Sequence, residues 1–141
     1  MSKIPKWVSS YIGIPYTRFG RDRNGADCWG ILCLVLNEVF GKDVPTYTGL
    51  GLRGIRERRE ASDFFMSTIG LWRPVRAGQQ EPGDGILIRV LGVPVHVGIW
   101  VAPGLMLHSD EGHDSCLESY SSPKWSARIE GFYRYVGSQD D

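Results

Sequence analysis

The sequence predicts an α+β domain, with helices first and an antiparallel sheet after them. Three observations carry this. Leu32, Val35, Leu36, Val39 and Phe40 recur at helical spacing in the first third of the chain. From Glu81 onward the pattern changes to four or five short β-branched or apolar runs separated by Gly and Pro turns. Just before the helical run lies a polar, glycine-flanked turn, Gly25-Ala26-Asp27-Cys28-Trp29-Gly30, which hands over directly to the apolar run 31–36.

The elements follow in order. Residues 4–11 fit a short helix with Trp7, Val8 and Tyr11 on one face, and Gly13-Ile14-Pro15-Tyr16 reads as a turn into an extended piece. A polar loop over 19–26 leads to Asp27, a good N-cap. The helix behind it runs over 28–40 and is stopped by Gly41. Residues 43–51 read as loop, 54–69 as helix and 72–75 as a short extended piece. Pro82-Gly83-Asp84-Gly85 is a turn before a strand over 86–90. Gly92-Val93-Pro94 is a second turn, before a strand over 95–101. Pro103-Gly104 turns the chain into a strand over 105–108, 110–114 is loop, and strands follow over 115–120 and 131–136.

A chain of 141 residues is expected to form one domain over 1–141, with an insertion at about 47–75 and a polar tail at 137–141. The formal net charge is zero, so no general affinity for nucleic acid or an anionic membrane follows. No apolar run approaches the roughly 20 residues of a membrane span, and the first residues lack the apolar segment of a secretion signal. The three cysteines, Cys28, Cys33 and Cys116, are an odd number, and the first two are five apart on one helix. A disulfide framework is not expected, and synthesis in a reducing cytoplasm is.

Cys28 falls in the first turn of its helix, where unpaired N–H groups and the helix dipole favour a thiolate, so it is the candidate nucleophile. His96 is the candidate base. Strand alternation puts it on one face with Gly98, while Val95, Val97 and Ile99 take the other; the space at Gly98 is expected to admit the helix of Cys28. A hairpin at 102–105 would bring His108 beside His96 as its orienter. Tyr16 is a candidate for the oxyanion region. Arg18, Arg21 and Arg23 read first as a solvated face, with binding of substrate carboxylates as the alternative.

These residues resemble the NlpC/P60 cysteine peptidases of the papain-like superfamily. Gly13-Ile14-Pro15-Tyr16 looks like the family's G-x-P-Y opening, and Asp27-Cys28-Trp29-Gly30-Ile31 resembles its D-C-S-G-L nucleophile motif. Pro82-Gly83-Asp84, His96-Val97-Gly98-Ile99 and the strand ending in His108 match its later motifs. The resemblance implies N-terminal helices on a central antiparallel sheet of about five or six strands, with no cofactor or metal. It implies Cys28, His96 and His108 as catalytic residues, and Tyr16, Asp27 and Trp29 at the oxyanion and substrate side. It implies hydrolysis of peptidoglycan stem peptides between D-γ-glutamate and the diamino acid. Trp29, where the common motif has serine, resembles the branch found in phage and prophage tail modules, as do the stretches 109–120, 122–125 and 130–134. That branch implies phage tail proteins as partners and a place in the virion tail, acting at the cell wall.

Two other readings compete. One is a zinc site formed by His96, His108, His113 and Cys116, although no C-x-x-C pair supports it. The other is a non-catalytic tail assembly protein that keeps the fold and uses Trp29, Trp72, Trp100 and Trp125 in contacts.

Overall fold

The computed structural model describes residues 4–46 and 68–137. All but the last two residues of the helix expected over 54–69, most of the 47–75 insertion and the end of the tail lie outside the described residues.

A 3-10 helix over Lys6–Tyr11 buries Val8 and Tyr11. The segment expected as a polar loop contains a two-stranded antiparallel hairpin, β1 (Arg21–Asp22) and β2 (Gly25–Ala26). It leads straight into α1 (Cys28–Glu38). The helix ends two residues earlier than its pattern suggests; Gly41, in the left-handed region at φ 64°, closes it with its N–H on the Asn37 carbonyl.

The remaining strands are β3 (Trp72–Val75), β4 (Gly85–Val90), β5 (Val93–Ala102), β6 (Leu105–Asp110), β7 (His113–Ser119) and β8 (Ile129–Tyr135). They form one six-stranded sheet in the order β3-β8-β4-β5-β6-β7, antiparallel throughout. This is the expected α+β architecture. β5, β6 and β7 run further than their patterns indicate because their hairpins are tighter. Leu91 and Gly92 both take positive φ and form a two-residue turn, so Val93 and Pro94 belong to β5. Glu111 and Gly112, the latter at φ 98°, form the two-residue turn between Asp110 and His113, so the expected 110–114 loop is a turn.

Both faces of the sheet are covered. On one, Ile31, Leu32, Val35 and Leu36 of α1 pack with Val95, Val97, Ile99 and Leu107. On the other, Ile86, Ile88, Trp100 and Met106 pack with Trp125. β5 is therefore buried along its last eight residues, which explains why it reads as an apolar run rather than as a clean alternation.

The turn before β4 is held by charge. Asp84 is 2% exposed, and its carboxylate accepts from both Arg134 Nε and Nη2 at 2.8 Å and from the Glu81 N–H at 2.8 Å. This fork ties β8 to the start of β4 and fixes the entry of the central strands.

Candidate active site

Asp27 sets the start of α1. Its Oδ1 accepts from the Gly30 N–H at 2.9 Å and from Arg21 Nη1 at 2.7 Å, and its Oδ2 accepts from the Phe19 N–H at 3.3 Å. At 1% exposure its carboxylate is fully occupied in capping the helix. Asp27, expected at the substrate side, holds these internal partners and is not among the residues that line the cavity described below. Gly30 is required for the same junction, because a Cβ there would run into the Gly20 carbonyl of the preceding loop.

Tyr16 is brought to the thiol by backbone pairing. It bridges to Ala26, with the Ala26 N–H on the Pro15 carbonyl at 3.0 Å and the Thr17 N–H on the Ala26 carbonyl at 3.3 Å. Its phenol is pushed up to about 12, first by burial and then by Cys28 and Asp27, so it stays a neutral hydrogen-bond donor.

His96 comes from β5 and His108 from β6. The paired stretch of these strands runs from Ile99↔Leu107 to Ala102↔Leu105, so both histidines lie beyond its end. There they meet, His96 Nε2 to His108 Nδ1 at 2.9 Å. His108 Nε2 lies 2.8 Å from Glu118 Oε1. Trp125 stacks on His96, with ring centroids 5.6 Å apart at 16°, and meets His108 edge-on at 5.4 Å. Both imidazoles are buried, 3% and 1% exposed.

Cys28, Tyr16 and His96 line one cavity of about 160 Å³ with Val90, Val95, Ser109, Asp110 and Glu111. The cavity opens where the β5–β6 pairing has ended. A thiol from the helix on one face and a histidine from the other face can therefore border one space. The expected use of Gly98 is corrected. A Cβ at that position would lie 2.9 Å from Met106 Sδ, so Met106 fills the space and α1 packs on the opposite face with Val97 and Ile99.

Trp29 does not line this cavity. It is 5% exposed, its indole N–H donates to the Pro45 carbonyl at 3.0 Å, and it packs against Trp72 at 6.3 Å. Side chains at N1 and N2 of a helix point about 100° apart, so the neighbour of a cleft residue is turned into the core. Arg21 and Arg23 are engaged internally, Arg21 with Asp27 and Arg23 with Glu38 at 3.0 Å.

Burial works against a thiolate at Cys28. Burial, followed by the Asp27 carboxylate, pushes the Cys28 pKa up, against the Val97 N–H and the Arg21 charge, which favour the thiolate. Burial and then His108 hold the His96 pKa well below the ordinary imidazole value, outweighing Asp110 and Glu118, while His113 acts in the same direction as His108. Here the helix-start argument is overridden by desolvation. Among the described residues no hydrogen bond joins Cys28 to His96, and such contacts tighten when substrate binds. Both shifts favour a thiol beside a neutral imidazole. Alkylation of Cys28 by iodoacetamide is expected to keep rising with pH through about 8.5, the range of a free cysteine. The acid limb of kcat/KM is expected to fall below about 6.5, the unperturbed imidazole value. An alkylation plateau at neutral pH would mean a preformed thiolate instead.

The four-residue zinc arrangement does not form. His96 Nε2 and His108 Nδ1 bond to each other, and His108 Nε2 bonds to Glu118. His108, Cys116 and Glu118 do bring ligand atoms within 4.8 Å of one another, but the His108–Glu118 hydrogen bond accounts for their closest approach.

Glu118 and Trp125 are the residues of this site that the sequence reading missed. Glu118 sits on β7 diagonally across from His108, since the ladder pairs Met106 with Glu118 and His108 with Cys116. Its one sequence signal is an acidic residue two places after Cys116 on the same strand face.

A thiol at a helix N-terminus facing a histidine pair on an antiparallel sheet defines the class as a papain-like α+β fold with a cysteine–histidine site. The chain belongs to the NlpC/P60 family, whose pattern matches residues 13–134. It is 26% identical over 127 residues to the probable endopeptidase p60 of Listeria grayi, covering 90% of this chain and 21% of that protein. The chain thus spans about a fifth of the length of that relative. The fold matches the NlpC/p60 domain of the peptidoglycan hydrolase SagA with a TM-score of 0.58 and 24% identity, over 89% of this chain and 90% of that one. It matches the P60 domain of a Mycobacterium avium subspecies paratuberculosis antigen with a TM-score of 0.61 and 20% identity, over 94% and 91% of the two chains. Among the described residues no helix is long and apolar enough to cross a membrane.

Proposed function

We propose that this chain is a cysteine endopeptidase that hydrolyses peptidoglycan stem peptides at the bond between D-γ-glutamate and the diamino acid. The observation that carries the reading is the shared cavity, in which Cys28 borders a histidine already bonded to a second histidine. Cys28 is the nucleophile, His96 the general base and acid, and His108 the orienter.

The chemistry follows from the resting protonation. His96 uses Nδ1, because Nε2 is taken by His108. As the Cys28 sulfur attacks the amide carbonyl, its proton passes to His96 Nδ1. The oxyanion is received by the Tyr16 hydroxyl and the unpaired N–H groups at the start of α1. The imidazolium then gives its proton to the leaving amine, and a thioester remains. Water, deprotonated by His96, releases the acid and restores the thiol.

The site favours catalysis over a purely structural tail role, because a packing module has no need of buried, mutually bonded histidines beside a thiol. The two roles are compatible. The Asp27-Cys28-Trp29-Gly30 variant of the nucleophile motif supports placement in the phage or prophage tail branch, with tail proteins as partners. Digestion of purified muropeptides followed by mass analysis is expected to give fragments split after D-γ-glutamate. Intact muropeptides, or cleavage at another bond, would overturn the assignment of substrate or bond.

A further inference from the structure

We propose that Glu118 is a positioning residue that sets the tautomers of both histidines, so that His96 presents an unprotonated Nδ1 to Cys28. The proposal rests on the reading of Cys28 and His96 as the reacting pair. Its argument is a count of protons along one chain of hydrogen bonds. Glu118 Oε1 lies 2.8 Å from His108 Nε2, and His108 Nδ1 lies 2.9 Å from His96 Nε2. A carboxylate only accepts, so His108 must carry its proton on Nε2. A neutral imidazole has one N–H, so His108 Nδ1 is then an acceptor. The proton in the 2.9 Å contact must therefore sit on His96 Nε2. That leaves His96 Nδ1 as a lone pair, which is what a base needs.

The opposite arrangement fails at each end. It would set a bare nitrogen of His108 against a carboxylate oxygen and turn an N–H of His96 toward the thiol. Nothing would then accept the sulfur's proton.

The surroundings support this assignment. Glu118 is held ionised: burial would raise its pKa, but Trp125, His108 and then Lys124 outweigh that and lower it. Burial keeps His108 neutral, against the pull of Glu118. Trp125 lies flat on His96 and edge-on to His108, which fixes both ring planes. When His96 takes the proton from sulfur, its Nε2–H still donates to His108 Nδ1, and the Glu118 charge lies at the far end of the chain. No other proton has to move.

The test reads tautomers directly. In the wild-type protein, nitrogen-15 NMR of the imidazoles is expected to show His96 protonated on Nε2 and His108 protonated on Nε2. Glu118→Ala is expected to give a mixture of tautomers and to lower kcat by about 10–100-fold with KM little changed, as loss of an outer-shell partner does. Glu118→Gln keeps an acceptor oxygen and is expected to recover part of that loss. A wild-type spectrum with His96 protonated on Nδ1 would overturn the proposal without any variant. So would a Glu118→Ala protein whose kcat or tautomers are unchanged. Wild-type tautomers as expected, in a protein that leaves muropeptides intact, would support the assignment while removing the substrate reading.

Discussion

Cys28→Ala and His96→Ala are each expected to remove hydrolysis of stem peptides to background, a loss of at least about 10³-fold. Alanine at 28 removes the atom that forms the acyl bond. Alanine at 96 removes the imidazole that borders the cavity among the described residues. The two losses should not add, since each variant already lacks a complete reacting pair. The other thiols make the control. Cys33 is a buried residue of α1 with its thiol on the Pro45 carbonyl, and Cys116 lies on β7 outside the cavity. Cys33→Ala and Cys116→Ala are expected to retain activity. Muropeptide digestion by Cys28→Ala at the wild-type rate would end the mechanism proposed here. His108→Ala should cost less than either, because His108 bonds to the base and does not meet substrate.

The second large effect is on stability. Asp27→Ala is expected to lower the unfolding free energy by about 3–5 kcal/mol, the scale of a lost helix cap combined with a broken buried ion pair. The carboxylate serves three donors at once, and Arg21, with its side chain 10% exposed, would be left without its charge partner at Asp27. Asp27→Asn keeps an oxygen for the Gly30 N–H and loses the charge, so it should cost less. Urea denaturation of the three proteins checks the order. If Asp27 instead contacted substrate, the Ala variant would keep its denaturation midpoint and show a raised KM. A loss of that size matters because whole domains are stable by only about 5–15 kcal/mol.

Where the sequence succeeded, the causes are local. Gly41, Gly92, Gly104 and Gly112 mark chain reversals, and each lies in the left-handed region that only glycine enters freely. Asp27 before an apolar helical run is a cap signal that needs no tertiary knowledge. The sequence therefore placed α1, most of the strands and the cysteine at the helix start. It also placed His96 and His108 on neighbouring strands, because one tight turn separates them.

Three things depended on the assembled structure. Trp29 turned away from the cleft because helix geometry carries successive side chains to different faces, and the core took the larger one. The protonation of Cys28 was decided by burial, since desolvation of a charge outweighs a partial dipole and depends on everything packed around the sulfur. Glu118 reached His108 only through the β6–β7 register, which includes a shift between His108 and Asp110. A one-residue slip would move a strand's side chains to the other face. The sequence by itself thus singled out Cys28, His96 and His108 as the candidates for the chemistry, because short-range signals at caps and turns mark their positions. Only the tertiary structure decided which way those residues point and which protons they favour, because both are set by strand register and by the packing of helix against sheet.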